Sequence, residues 1–182
     1  RGEEAHGGGG PKLDEVAPDL ELPDAASGSV VSLLEFRGKT PVVLVFGSYS
    51  CPNFRSSAEA LKQVQQQYGQ RAPFYLIYIR EAHTRANWQS TRNTREHLEV
   101  AAAANLEEKE QHAVMCTKTL HLNFPALVDR MDGAVEAHYA AWPSRAFVIA
   151  RSGRVLYSTH LTELDFHASD MESALQKAIA SK

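Results

Sequence analysis

The sequence predicts an α/β protein of three layers, with helices on both faces of a central sheet. Three observations carry that prediction. Short apolar runs recur at VVLVF (Val42 to Phe46), FYLIYI (Phe74 to Ile79) and PALVD (Pro125 to Asp129), which is how strands buried on both faces read. The first two flank a segment of helical periodicity, and strand, helix, strand in that order implies a right-handed parallel crossover. A two-strand pattern followed by an amphipathic helix closes the chain.

Taken in order, residues 1–12, RGEEAHGGGGPK, are Gly-rich and polar and are expected to form a flexible arm, with His6 solvated. Residues 13–182 are then one domain with a single sizeable core. APDLELPDAASGSVVSLLEFRGK, from Ala17 to Lys39, breaks short apolar pieces with Pro, Asp, Ser and Gly, the pattern of a small N-terminal β-hairpin. After the first buried strand, Pro52 suits the first turn of a helix, where a missing N–H costs nothing. Phe54, Ala58, Leu61, Val64 and Tyr68 form one face of that helix, and Gly69 ends it. Residues 80–105 are polar and then alanine-rich, and read as an inserted loop with helical pieces. Asn105 with Glu108 resembles a capping box, and the helix it starts sets Ala113, Cys116, Thr117 and Leu120 on one side. Gly133 marks a turn before one or two helical turns. AFVIARSGRVLYS reads as a hairpin around Ser152 and Gly153, and Asp170 to Ala180 as the closing helix. The order of elements is thioredoxin-like.

Composition narrows the function. A net charge of -3 over 182 residues gives no general attraction to nucleic acid or anionic membrane. No apolar run approaches the ~20 residues that span a bilayer. The two cysteines form no CxxC pair, no Cys/His cluster suggests a metal, and His97, His112, His121, His138, His160 and His167 show no paired spacing. The chain starts at Arg1, so a cytoplasmic and an exported protein are both open, as is a homodimer.

One of the two cysteines sits in FGSYSCPNFR, Phe46 to Arg55. That is the carboxyl end of a central strand, where functional groups gather in such sheets, and the amino end of a helix. A thiolate is the reactive form of cysteine, and free backbone N–H groups with the helix dipole favour the anion there. Ser48 and Ser50 are expected to donate hydrogen bonds to the Cys51 sulfur, and a cationic side chain would favour the anion further. Cys116, on the apolar side of its helix, reads as a buried small residue; its alternative is a resolving cysteine that condenses with an oxidised Cys51.

Ser48-x-x-Cys51-Pro52 after an apolar strand resembles the active-site segment of peroxiredoxins, and Arg145-Ala-Phe-Val-Ile resembles the strand carrying their active-site arginine. Pro143 matches the cis-proline that thioredoxin-fold proteins set beside the catalytic cysteine. A resemblance from about Val42 to Phe166 is to the iodothyronine deiodinases. It rests on FGSYSCPNF, YIREAH (Tyr78 to His83), Trp88, PALVDRMD and WPSRAFVIARSGRVLY. In that family the Cys51 position is usually selenocysteine. Tyr49 stands where deiodinases tend to carry an additional cysteine, TRANW (Thr84 to Trp88) keeps only the tryptophan of an Asp-Gly-Trp pattern, and STHLTELDF replaces a glycine-rich segment.

The resemblance implies a thiol-dependent oxidoreductase in which Cys51 attacks the iodine of an iodinated aromatic. His83 then binds substrate or moves a proton, as an imidazole titrating near ~6.5 would suit. Glu81 is a candidate to orient His83, and Arg145 to pair with a substrate anion or the thiolate. Ser50, Tyr49, Pro52, Trp88 and Pro143 are expected as supporting or substrate-binding residues. No cofactor is expected, only an external thiol reductant, a dithiol or a thioredoxin-like protein. A peroxiredoxin-type peroxidase acting on hydrogen peroxide or organic peroxides through Ser48, Cys51 and Arg145 is the alternative within redox chemistry. A redox-inactive thioredoxin-fold binding module is the alternative outside it.

Overall fold

The computed structural model describes residues 9–86 and 89–181; His6 and Trp88 lie outside them. A short antiparallel hairpin of β1 (Glu21–Pro23) and β2 (Val30–Ser32) comes first, then a 3-10 turn at Leu33–Glu35. The main sheet follows: β3 (Val42–Gly47), β4 (Phe74–Tyr78), β5 (Ala126–Val128), β6 (Arg145–Ile149) and β7 (Val155–His160). Its strand order is β5-β4-β3-β6-β7. β3 is parallel to β4, and β4 to β5, whereas β6 is antiparallel to β3 and to β7.

The helices are α1 (Pro52–Tyr68), α2 (Thr91–Arg95), α3 (Leu106–Thr119), α4 (Ala134–Tyr139) and α5 (Ala168–Ala180). The closing helix thus starts two residues before the predicted Asp170. At α3 the Asn105 carboxamide oxygen accepts from Glu108 N at 2.9 Å, while the Glu108 carboxylate accepts from Ala104 N at 2.7 Å. The reciprocal bond of a capping box therefore lands one residue early. α2 is the helical piece inside the inserted loop.

Alternation along the strands sorts the core into two layers. Val43, Val45, Leu76, Tyr78, Ala146 and Val148 pack with Cys51, Phe54 and Leu61 of the α1 segment, Cys116 of α3 and Met171 of α5. Leu44, Phe46, Ile77, Ile79, Phe147 and Ile149 pack with the N-terminal segment and with Val135 and Tyr139 of α4. β3 is buried along its whole length, which explains its unbroken apolar run.

Gly9 to Lys12, within the stretch expected to be a flexible arm, lie against this second layer. Pro11 is buried, and the Gly9 carbonyl accepts from Arg145 Nη1 at 2.9 Å. Gly10 has φ 77° and a Cβ there would run into the Tyr139 carbonyl, so a left-handed residue without a side chain is required. Among the described residues no helix is long and apolar enough to cross a membrane.

Candidate active site

The segment from β3 to α1 turns sharply and is held by packing before it is held by polar bonds. A Cβ on Gly47 would sit 2.6 Å from the ring of Phe54, which is fully buried. Gly47 thus lets Phe54 fold beneath the strand end and pins the first turn of α1. Cys51 is the N-cap of that helix (φ -81°, ψ 112°), with Pro52 in its first turn and no side-chain capping bond. The residue is 2% exposed.

A carboxylate organises the loop. Glu81, placed by the chain just after β4, has a side chain only 3% exposed. Its Oε2 accepts from Ser50 N at 3.1 Å and from Ser50 Oγ at 2.5 Å. Its Oε1 accepts from the Tyr78 hydroxyl, which itself accepts from Tyr49 N at 3.1 Å. His112 of α3 brings Nδ1 to 3.7 Å from Oε1. Burial above all, and then the Glu81 charge, push the Tyr78 phenol well above its ordinary range, so it remains a donor. Ser50 Oγ also accepts from the backbone of Ala82 at 2.9 Å and His83 at 3.3 Å. Residues 48–51 and the EAH segment are therefore one hydrogen-bonded unit, with His83 tethered by its backbone.

From the outside, Arg55 and α2 brace the same loop. Arg55 donates to Tyr49 O at 2.6 Å, Asn93 Oδ1 at 2.7 Å and Glu96 Oε2 at 2.9 Å, and its guanidinium lies 5.6 Å from the Tyr49 ring centre. Asn93 Nδ2 donates to Ser50 O at 2.8 Å. The inserted segment is thus a wall of the site.

Two sequence expectations are corrected here. Ser50 spends its hydroxyl proton on Glu81, and Ser48 shares a 3.4 Å hydrogen bond with Ser50; among the described residues the group bonded to the Cys51 thiol is the Ser144 hydroxyl, at 3.6 Å. Arg145 does not face the sulfur. It pairs with Phe46 in the β3–β6 ladder and shares the α4 face with Phe147, whose ring centre is 4.7 Å from the guanidinium. Its donors go to Ser158 Oγ and to the carbonyls of Gly9, Tyr139 and Ala140. Partial burial lowers its pKa from the usual guanidinium value.

The Trp142–Pro143 peptide is cis, as its position predicted, and Arg80 lies 4.5 Å over the Trp142 ring. Cys116 shares the core layer with Cys51 but is 0% exposed. Burial first, then the charge of Glu81, push its thiol well above the ordinary range, with Arg55 opposing.

Sequence reasoning missed Ser144, Tyr78, Arg55, Asn93 and His112. Tyr78 opens YIREAH and Arg55 follows Cys51 by one helical turn, so both carried a local signal. Asn93 and His112 reach the site only through the fold.

The family profile of iodothyronine deiodinase matches residues 9–179. The chain belongs to the iodothyronine deiodinase family. Thyroxine 5-deiodinase of Sparus aurata is 29% identical over 167 residues, covering 91% of this chain and 60% of that protein. The chain spans about three-fifths of the length of the curated deiodinases it matches first. Solved structures add the fold: a secreted disulfide oxidoreductase of Mycobacterium tuberculosis superposes with a TM-score of 0.60 at 18% identity, covering 87% of this chain and 95% of that one. Peroxidoxin BcpB of the same organism gives 0.59 at 18% identity, covering 93% and 95%. This deiodinase-family chain thus has the thioredoxin-like fold shared with peroxiredoxins.

Proposed function

We propose that this chain acts as a thiol-dependent reductive dehalogenase that removes iodine from an aromatic ring, with iodothyronine-like compounds as the substrate class. The observation that carries the reading is the Glu81 unit. A buried carboxylate gathers Ser50, Tyr78 and His112 and ties the backbone of His83 to the loop that bears Cys51. Such an arrangement suits a reaction in which a sulfur nucleophile acts together with a delivered proton.

In the first step the Cys51 thiolate attacks iodine. An S–I bond forms, the C–I bond breaks, and its electron pair passes to the ring carbon, which takes a proton from protonated His83. The ring is reduced and the sulfur is oxidised to a sulfenyl iodide. Two equivalents of an external thiol then release iodide, regenerate the Cys51 thiol and leave as a disulfide. The buried, proton-retaining Cys116 is a poor attacking thiol, which favours an external dithiol or thioredoxin-like reductant.

The peroxidase reading needs Ser48, Cys51 and Arg145 around one peroxide. It is disfavoured by the position of Arg145 on the other sheet face, with its donors engaged at carbonyls. Incubation with dithiothreitol and an iodinated phenol, beside a parallel incubation with hydrogen peroxide, tests the choice. Iodide release that Cys51→Ser abolishes is the expected result. Peroxide consumption without iodide release would give the peroxidase reading instead, and neither activity would leave a binding module.

A further inference from the structure

We propose that Ser144 is a catalytic residue of this site: its hydroxyl is the hydrogen-bond donor that holds the Cys51 sulfur as a thiolate and fixes the direction from which it attacks. The inference rests on Cys51 being the nucleophile and adds the group that prepares it.

Ser144 Oγ lies 3.6 Å from Cys51 Sγ, within sulfur hydrogen-bond range. Ser144 is 3% exposed, and the thiol is its hydroxyl's partner among the described residues. A buried hydroxyl without a partner is costly, so the pair is held together from both sides. A serine hydroxyl is a rotor that both accepts and donates. It accepts from S–H, and after proton loss it turns to donate to S⁻ with no heavy atom moving. Hydrogen bonds to an ionised partner are about twice as strong as neutral ones, so the contact stabilises the thiolate more than the thiol.

Register explains why this residue and not its neighbour reaches the sulfur. Ser144 precedes β6 and has the parity of Ala146 and Val148, which pack in the same layer as Cys51. Arg145 has the parity of Phe147 and faces the other way. The neighbouring hydroxyl of Ser50 is committed to Glu81, and the Cys51 side chain makes no capping bond with its own helix. The ionisable groups that share this side include Tyr49 beside Cys51, Arg55 and Tyr68 on α1, Tyr78, Glu81 and His83 at and after β4, His112 and Cys116 on α3, and Tyr157 on β7. Comparing variants that leave all of them in place isolates the hydroxyl.

The test is the rate of Cys51 alkylation by iodoacetamide between about pH 5 and pH 10, read by mass spectrometry on the Cys51 peptide so that Cys116 does not contribute. It is made on the full chain with Ser144→Ala, Ser144→Thr and Ser144→Val. Ser144→Ala should move the rise of the rate profile up by about one pH unit and cut the rate at its lower end about tenfold. Thr and Val have nearly the same shape and differ in the hydroxyl. Ser144→Thr should keep the wild-type profile and Ser144→Val should move it like Ala, even where both lose some stability. Equal profiles for Thr and Val, or an Ala variant that alkylates like the wild type, would overturn the role of Ser144 while leaving Cys51 as nucleophile. A wild-type profile that rises near ~8.5, as an unassisted thiol does, would overturn both.

Discussion

Glu81 and Arg145 lie on opposite faces of the sheet, and the fold uses the two charges in opposite ways. On the α1 face, Glu81 accepts hydrogen bonds from Ser50 and Tyr78, the residues that shape the Cys51 loop. On the α4 face, Arg145 donates to main-chain carbonyls at the end of α4 and in the N-terminal segment. A carboxylate that collects side-chain donors sets how the loop beside the thiol is held. A guanidinium that stays charged and is bound to carbonyls has nothing to exchange. On the proposed reading the first face serves the chemistry, while the second fastens the N-terminal segment to the sheet.

The largest effect expected from breaking this contrast is on turnover. Glu81→Gln keeps an acceptor for Ser50 and the size of the side chain but removes the charge. Iodide release per folded molecule should fall by about 100-fold, the lower range for a lost acid–base group, beyond the loss of stability from the weakened hydrogen bonds. A fall no greater than the fraction unfolded would make Glu81 a structural residue. The converse variant, Arg145→Met, should lower stability by about 2 kcal/mol through lost charged hydrogen bonds. Activity per folded molecule should stay within about threefold, and a strong loss of activity in a protein of unchanged stability would place Arg145 in the chemistry after all.

The smallest effect concerns Cys116. Its folded pKa is raised above the ordinary thiol value, so the folded chain keeps a proton that the unfolded chain releases. The stability linked to it is complete below the ordinary value and is lost as pH rises through and above it. Between about pH 9 and pH 10 the wild type should lose about 1 kcal/mol more than Cys116→Ala. Denaturant melts at the two pH values measure the difference, and equal losses would mean that the thiol ionises in the fold.

Much of the frame is legible in the residues because local chemistry decides it. Val42 to Phe46 reads as a central strand, Phe54 to Tyr68 as one helix face, and Asn105 as a cap, since each depends on neighbours a few positions away. Cys51 at the strand-to-helix junction was visible for the same reason. The space that Gly47 leaves for the Phe54 ring is visible only with the helix in place. Ser50 looked like a ligand of the adjacent sulfur, yet its hydroxyl is taken by a carboxylate 31 residues away.

By itself, then, the sequence determined the order of strands and helices and put Cys51 at a strand-to-helix junction, and the family resemblance marked the EAH segment as its partner. Only the tertiary structure decided which side chains meet the sulfur. In a strand, consecutive residues point to opposite faces, so a single step separates Ser144, on the thiol, from Arg145, on the far side. Composition and spacing do not carry that parity, because it is set by how β6 registers against β3.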